Sequence, residues 1–197
     1  MGEVLLIRHG QTEWSEAGQH TGRTDIPLTK AGVGAAKALA PVIAGRHIVA
    51  AFSSPARRTL RTAELIGLTE VQLDPDLWEW DYGGYEGRTT EDIRTDLPGW
   101  YLWRDGVVPG DGAHPGETVE HVALRADAVI ARVRPLCAAG DVALVSHAHF
   151  LRVLAARWLG LEAAGGRYFQ LDTGTLSTLG FEHEQPVITS WNVPAGH

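Results

Sequence analysis

Three apolar runs in this chain each end in polar side chains that are suited to binding an oxyanion. The polar clusters that follow them are Arg8-His9-Gly10, then Ser53-Ser54-Pro55 with Arg57 and Arg58, and then Ser146-His147-Ala148-His149. An imidazole can act as a nucleophile, and a guanidinium binds oxyanions through a planar fork of donors. Because phosphoryl transfer depends largely on positioning and charge stabilisation, three such clusters in one place predict a phosphoryl-group site. The first cluster by itself is equally compatible with two solvated polar residues at the end of a strand.

The elements that must position these clusters alternate between strand and helix. The patterning predicts strands over residues 3–7, 48–52, 71–73, 142–145, 168–171, 175–182 and 186–191, and helices over residues 30–45, 56–66, 89–96, 117–138 and 150–159. Residues 10–28 are rich in Gly, Thr and Asp, and this composition predicts a long functional loop. We therefore expect an α/β fold, a three-layer αβα sandwich with a mostly parallel central sheet. Its strands would bring the clusters together at their carboxyl ends.

Residues 74–116 differ in character from the rest of the chain. They hold four of the seven tryptophans together with many Gly, Pro and Asp residues. We interpret residues 1–197 as a single domain in which residues 74–116 form a small cap insertion over the pocket. The alternative is a surface subdomain whose aromatic side chains fill a small core of their own.

Composition limits the class of partner and compartment. The net charge of −7 argues against a general nucleic-acid binder, which would be basic. Cys137 is the one cysteine, so an internal disulfide is impossible, as is usual for a cytoplasmic protein. The sequence shows neither a signal-peptide pattern nor an apolar run long enough to span a membrane. We expect a cytoplasmic protein. The late strands would offer an exposed edge through which two copies could pair as a homodimer.

Five motifs in order make the chain similar to a known family over nearly its whole length. They are Arg8-His9-Gly10 extended by Gln11-Thr12-Glu13-Trp14, residues 21–29, Ser54-Pro55-Ala56-Arg57-Arg58-Thr59, residues 78–83 with Glu86-Gly87, and Val145-Ser146-His147. With them the chain resembles the histidine phosphatase superfamily, the phosphoglycerate-mutase-like proteins. The extended forms are most similar to the branch of acid phosphatases and sugar-bisphosphate phosphatases.

The resemblance implies catalytic roles for five residues. His9 would be the nucleophile that becomes phosphohistidine, and Arg8 and Arg58 would hold the phosphoryl oxygens. His147 would donate to the phosphoryl group, and Glu79 would give a proton to the leaving oxygen. The resemblance also implies a metal-independent reaction without a cofactor. The sequence itself carries no HExxH pattern and no paired cysteines.

The expected substrate contacts extend beyond these five residues, to Ser15, Thr21, Gly22, Tyr82, Arg104 and Ala148. Ser15 and Ala148 depart from the family pattern, which often has Asn and Gly there. Arg104 would either reach a distal substrate phosphate or pair with a neighbouring acid such as Asp105. His149 would either contact the substrate or orient its loop.

We expect a phosphatase that acts on small phosphorylated metabolites, such as sugar phosphates or bisphosphates. A phosphoglycerate mutase uses the same phosphohistidine and is the first alternative. Mutases typically carry more basic residues in the cap, whereas residues 74–116 have only Arg88, Arg94 and Arg104 as cations. A non-catalytic module that binds a phosphorylated ligand is the remote alternative.

Overall fold

The three apolar runs form three adjacent strands of a six-stranded sheet. The computed structural model describes residues 1–196, so His197 lies outside the described residues. The strands are β1 (Val4–Arg8), β2 (Ile48–Ser53), β3 (Gln72–Leu73), β4 (Asp141–Ser146), β5 (Thr175–Glu182) and β6 (Gln185–Pro194). Their order is β3-β2-β4-β1-β5-β6. Strands β3, β2, β4 and β1 are parallel, whereas β5 and β6 are antiparallel to their neighbours.

Alternate side chains of the inner strands face two different helical layers. Leu5 and Ile7 pack with α2 (Lys30–Ala44) and α3 (Arg57–Leu65), whereas Val4 and Leu6 pack with α6 (Val119–Val133) and α7 (Ala148–Trp158). Each fully buried aliphatic side chain stabilises the fold by about 1.5–3 kcal/mol. The expected αβα sandwich with a mostly parallel sheet is therefore confirmed.

Local sequence signals set the ends of the helices. The Thr29 hydroxyl caps α2 by accepting a hydrogen bond from the backbone of Gly32 at 3.0 Å. The helix predicted over 117–138 is shorter than expected, because α6 ends at Val133 and a 3-10 helix follows over Arg134–Ala138. Pro135 explains the change, since it has no N–H to continue the α-helical ladder. Within residues 1–196, every helix falls short of what a bilayer-spanning segment requires.

Short helices occupy the segments between the main elements. They are α1 (Glu13–Glu16), α4 (Thr90–Asp96) and α5 (Leu102–Asp105), with 3-10 helices over Pro75–Leu77, Gly83–Tyr85 and Ala163–Tyr168. The short helix α1 lies within the segment predicted as a loop over 10–28.

Residues 74–116 share the core of the domain. Trp80, Trp100 and Trp103 are buried in the same hydrophobic cluster as Leu144 of β4 and Phe150 of α7. The alternative of a separate aromatic core is not what the structure shows. The same segment also contributes residues to the pocket described below.

The strand predicted over 168–171 is wrong. Residues 163–168 form a 3-10 helix, and the residues that follow are outside the sheet. Side chains take up the backbone carbonyls instead, because Arg8 donates to the Leu171 carbonyl and Trp191 donates to that of Gln170. This arrangement leaves β6 as the edge strand on that side of the sheet.

Candidate active site

The parallel strands bring the polar clusters to one end of the sheet, as the sequence predicts. Arg8 lies beside Ser146 in the register of β1 and β4, and Ser53 lies beside Val145 in that of β2 and β4. A pocket of about 200 Å³ opens there. Its lining residues are Arg8, His9, Ser15, Gly18, Gln19, His20, Thr21, Glu79, Tyr82, Thr90, Ala148 and His149.

His9 is held as a neutral imidazole with one ring nitrogen free. Its Nδ1 donates to the Gly10 carbonyl at 2.8 Å, so Nε2 keeps its lone pair. Nε2 has no protein partner within residues 1–196 and is open to the pocket. Burial, followed by the charges of Arg58 and Arg8, lowers the His9 pKa well below its usual 6.5. His9 is therefore ready to attack an electrophile at neutral pH.

His147 lies against His9 and is fixed by two neighbours. The two ring centroids are 5.2 Å apart. Nδ1 of His147 accepts from Nε of Arg58 at 3.3 Å, which leaves its Nε2–H to donate to the Ser54 hydroxyl at 2.8 Å. Burial and the Arg58 charge lower the pKa of His147 well below 6.5. Both imidazoles are therefore neutral before a substrate binds.

The Arg58 guanidinium is fully buried and held by the loop before α2. It donates to the carbonyls of Thr24 at 2.8 Å, Gly22 at 2.9 Å and Thr21 at 3.3 Å. Burial lowers the pKa of Arg58, but a guanidinium remains charged in proteins. Thr21 and Gly22, predicted as substrate contacts, thus also position this cation.

The Arg8 guanidinium is anchored at one end and has donors to spare. Its Nη1 donates to the Leu171 carbonyl at 2.6 Å. Its Nε is buried without a hydrogen-bond partner, while Nη2 is open to the pocket. A buried unsatisfied donor is costly, so this edge of the pocket fits an anion better than a neutral group.

The Glu79 carboxylate lies at the amino end of α7. One oxygen accepts from the backbone N–H of Trp80 and of Phe150, each at 2.9 Å, and the other accepts from that of His149 at 3.1 Å. The positive end of the helix dipole adds to these interactions. Three backbone donors thus hold a buried carboxylate on the pocket wall beside His9.

Arg125 on α6 supports the backbone that carries Glu79. Its guanidinium donates to the carbonyls of Asp76 at 2.6 Å and Trp78 at 2.9 Å. It also forms a buried ion pair with Glu117 at 2.8 Å. Burial by itself would raise the Glu117 pKa, but the hydrogen bond and charge of Arg125 outweigh it and lower that pKa. Arg125 is a positioning residue that the sequence reasoning missed, although a cation on the apolar face of α6 was a visible signal.

Of the six further predicted substrate contacts, Ser15, Thr21, Tyr82 and Ala148 line the pocket, whereas Gly22 and Arg104 do not. Ala148 is the first residue of α7 and needs no glycine-like backbone angle, so its departure from the family pattern does not distort the loop. Arg104 lies elsewhere, paired with Asp105 at 2.7 Å and donating to the Gly99 carbonyl. The alternative of a local ion pair is therefore the one observed for Arg104.

The remaining titratable clusters do not form a second site of this kind. A larger cavity of about 640 Å³ lies at the opposite end of the strands, where Arg46 pairs with Glu3 and Asp141. Neither His9 nor His147 lines it. Within residues 1–196, no three His, Cys, Asp or Glu side chains converge in a way that could hold a metal ion.

Comparison with known proteins agrees with this geometry. The family model described as histidine phosphatase superfamily (branch 1) matches residues 4–194. An acid phosphatase of Mycobacterium tuberculosis is 40% identical over 182 residues, covering 91% of this chain and 87% of the relative. Sedoheptulose 1,7-bisphosphatase of Saccharomyces cerevisiae is 34% identical over 189 residues, covering 80% of this chain and 67% of the relative.

A solved structure shows the same fold at high similarity. The structure of the open reading frame Rv3214 product from Mycobacterium tuberculosis superposes with a TM-score of 0.91 at 37% identity, covering 98% of each chain. The fold, the paired rings of His9 and His147 with Arg8 and Arg58 as neighbours, and the similarity to known proteins all indicate the same family. The chain belongs to the histidine phosphatase superfamily, branch 1.

Proposed function

We propose that this protein is a phosphatase that hydrolyses small phosphorylated metabolites, sugar phosphates or bisphosphates, through a phosphohistidine on His9. The observation that carries the proposal is the free Nε2 of a neutral His9, whose pKa is lowered by burial and by the charges of Arg58 and Arg8. The acid phosphatase and bisphosphatase relatives support a phosphomonoester as the substrate.

In the first step, Nε2 of His9 attacks phosphorus and the bond from phosphorus to the leaving oxygen breaks. Arg8 donates to the phosphoryl oxygens, and the buried charge of Arg58 stabilises them from outside the pocket lining. His147 donates to them only after its Nε2–H leaves the Ser54 hydroxyl. Glu79 must take up a proton before this step, and it gives that proton to the leaving oxygen, so the product is a neutral alcohol.

In the second step, water replaces the alcohol. The Glu79 carboxylate takes a proton from water as the oxygen attacks phosphorus, and the phosphorus–nitrogen bond breaks. Phosphate leaves, while His9 regains its lone pair and Glu79 its proton. The geometry that supports this role is the placement of the Glu79 carboxylate on the pocket wall with His9.

The charges of the cap favour hydrolysis over the mutase reaction. A mutase must retain a bisphosphate intermediate, which needs spare cations near the pocket. Instead, Arg88 pairs with Asp96, Arg104 pairs with Asp105, and Arg94 donates to the Trp100 carbonyl. We therefore expect the phosphohistidine to transfer its phosphoryl group to water and not to a retained alcohol.

Residues 74–116 act as a cap, because Glu79, Tyr82 and Thr90 of that segment line the pocket. We also propose that the reaction needs no metal ion and that the protein is cytoplasmic. The buried thiol of Cys137, which forms no disulfide, supports the cytoplasmic location. Strand β6 would be the edge used in a homodimer.

The decisive experiment measures phosphate release from sugar phosphates, bisphosphates, phosphoglycerates and p-nitrophenyl phosphate in the presence of EDTA. Release that resists EDTA supports a metal-independent phosphatase. Isomerisation of phosphoglycerate without phosphate release would favour the mutase. If alkali-quenched enzyme carried no phosphohistidine and showed no turnover, a module that only binds a phosphorylated ligand would be favoured.

A further inference from the structure

One wall of the pocket is built from two histidines and a tyrosine that the phosphoryl-transfer steps do not use. His20 and His149 have nearly parallel rings, with centroids 6.5 Å apart and an interplanar angle of 7°. The Tyr82 hydroxyl lies 2.6 Å from Nδ1 of His149, and its ring packs edge-on against His20 at 4.8 Å. All three line the pocket that holds His9.

The hydrogen bonds around this wall determine what each histidine offers to a ligand. Nδ1 of His20 donates to the Arg88 carbonyl at 2.8 Å, so Nε2 of His20 is an acceptor. The Tyr82 hydroxyl and Nδ1 of His149 share a hydrogen bond of 2.6 Å, and we assign its proton to the tyrosine because a phenol is a stronger acid than a neutral imidazole N–H. With that assignment Nε2 of His149 carries the ring proton and is a donor. Neither Nε2 atom has a protein partner within residues 1–196, and neither is enclosed in the protein. The wall therefore presents one free acceptor and one free donor.

The wall is also electrically neutral. Burial lowers the pKa of His20, and burial together with the Arg152 charge lowers that of His149 well below 6.5. Burial raises the pKa of Tyr82 well above its usual value. Arg8 is the only Lys or Arg among the residues that line the pocket, and it belongs to the phosphoryl end.

Arg152, whose charge adds to burial in lowering the pKa of His149, is not among the residues that line the pocket. Arg152 donates to the Gly166 carbonyl at 3.1 Å and lies over the Trp103 ring at 4.8 Å. A second phosphate or a carboxylate on the substrate would therefore lose its water at this wall without gaining a cation. A hydroxyl group can both donate and accept, which matches the two free ring nitrogens.

We propose that His20 and His149, with Tyr82 fixing the tautomer of His149, form a hydroxyl-binding subsite for the leaving group. The subsite selects monophosphate esters of neutral polyhydroxy alcohols such as sugars, and it disfavours bisphosphates and phosphorylated carboxylic acids. This inference rests on the proposed phosphatase function and narrows its substrate class.

The test uses substrates that differ in one feature at a time. Glycerol 3-phosphate and n-propyl phosphate differ only in their hydroxyl groups. In 3-phosphoglycerate a carboxylate replaces the terminal CH2OH of glycerol 3-phosphate, and fructose 1,6-bisphosphate adds a phosphate to fructose 6-phosphate. For the unaltered enzyme we expect kcat/KM to be at least about 10-fold higher for glycerol 3-phosphate than for n-propyl phosphate, which is about 1.4 kcal/mol of discrimination. We expect 3-phosphoglycerate and the bisphosphate to be poorer than their neutral counterparts.

Variants then assign the preference to the two histidines. His20→Phe and His149→Phe keep a planar ring and remove the free nitrogen, so each should bring the glycerol-to-propyl ratio close to 1. Tyr82→Phe should lower the ratio by less, because it removes only the group that fixes His149. His183→Asn, at an exposed turn residue with a φ of +55°, is the matched control and should retain the ratio of the unaltered enzyme.

The outcomes separate the subsite from the proposed function. Hydrolysis of p-nitrophenyl phosphate with equal kcat/KM for glycerol and propyl phosphates would overturn the subsite and keep the phosphatase. A preference for the bisphosphate, or an unchanged ratio in both folded histidine variants, would also overturn it. Absence of phosphate release from every ester would overturn both. If one histidine variant does not fold, the other and Tyr82→Phe decide the result.

Discussion

Nε of Arg58 lies 3.3 Å from Nδ1 of His147, in the interior of the protein. A guanidinium nitrogen can only donate, so Nδ1 of His147 must accept and its proton must lie on Nε2. The Ser54 hydroxyl accepts a hydrogen bond of 2.8 Å from this Nε2–H group. Arg58, His147 and Ser54 thus form a chain in which a phosphate-binding cation sets the tautomer of the second histidine.

Ser54→Ala should slow turnover by removing the acceptor of the His147 Nε2–H. The buried N–H would then be unsatisfied, so we also expect about 1–3 kcal/mol less stability. The measurement is kcat together with urea unfolding. Ser53→Ala is the matched control, because the buried Ser53 hydroxyl donates to the Ser54 carbonyl and does not touch His147. Equal kcat losses in both variants would contradict a specific role for Ser54.

His9→Ala should abolish turnover while the fold remains intact. Loss of the nucleophile is expected to lower kcat by at least about 10³-fold, as for other nucleophiles that act within a unit. Steady-state kinetics measure the loss of turnover, alkaline-quench trapping measures the loss of phosphohistidine, and circular dichroism measures whether the fold remains intact. Activity close to that of the unaltered enzyme would rule out His9 as the nucleophile.

Glu79→Gln should slow the hydrolysis of esters with poor leaving groups more than that of p-nitrophenyl phosphate. An alkoxide needs a proton as it leaves, whereas p-nitrophenolate needs little help. The expected loss on sugar phosphates is about 10²–10⁴-fold. Single-turnover rates of phosphohistidine formation isolate the first step, and equal losses for the two substrate types would argue against an acid role.

Arg125→Lys should reproduce the Glu79 defect in a milder form. The planar guanidinium of Arg125 donates to the Asp76 and Trp78 carbonyls and to Glu117 at once, and a lysine ammonium cannot make all three hydrogen bonds. The backbone that carries Glu79 would therefore be held less precisely. We expect a loss of about 2 kcal/mol in stability and a larger kcat loss for sugar phosphates than for p-nitrophenyl phosphate. Thermal unfolding and the kcat ratio of the two substrates provide the measurement.

The matched control for Arg125 lies on the same helix. Arg132 pairs with Asp74 and Asp76 at the protein surface, where ion pairs contribute little. Arg132→Lys should therefore leave the kcat ratio of sugar phosphate to p-nitrophenyl phosphate unchanged. If Arg125→Lys lowered stability without changing that ratio, its role would be structural only.

Stability should fall as the pH decreases through about 6.5. The pKa values of His9, His147 and His149 are lowered in the folded protein, so between those values and about 6.5 the unfolded chain binds more protons. The stability that these neutral histidines contribute is complete above about pH 6.5 and declines below it, by up to about 1.4 kcal/mol per pH unit for each histidine.

Urea unfolding at pH 7.5, 6.5 and 5.5 measures this dependence. His149→Phe removes one of the buried imidazoles and should give a shallower decline of unfolding free energy over the same interval. A free energy of unfolding that stays constant, or rises, from pH 7.5 to 5.5 would contradict the buried neutral state of these histidines.

Much of the site could be predicted from chain order. Because β1, β2 and β4 are parallel and adjacent, the polar clusters that follow their carboxyl ends had to meet. The resemblance to a known family then selected Arg8, His9, Arg58 and His147 from those clusters. The α6 boundary was less accessible, because Pro135 changed the helix type without ending the apolar pattern. The segment 168–171 had a strand-like composition, but side chains of Arg8 and Trp191 took up its carbonyls.

The sequence by itself determined the fold class, because that depends on periodicity and residue type, and the order of its motifs indicated the family. The resemblance also supplied the expected set of groups that would bind and attack a phosphoryl group. Only the tertiary structure decided the state and partner of each group. It left Nε2 of His9 free, tied His147 to Arg58 and Ser54, and paired Arg104 with Asp105 away from the pocket. A hydrogen bond forms only where donor and acceptor come within a few tenths of an ångström of the ideal distance, and the packing of the whole chain decides this even for sequence neighbours such as Arg104 and Asp105.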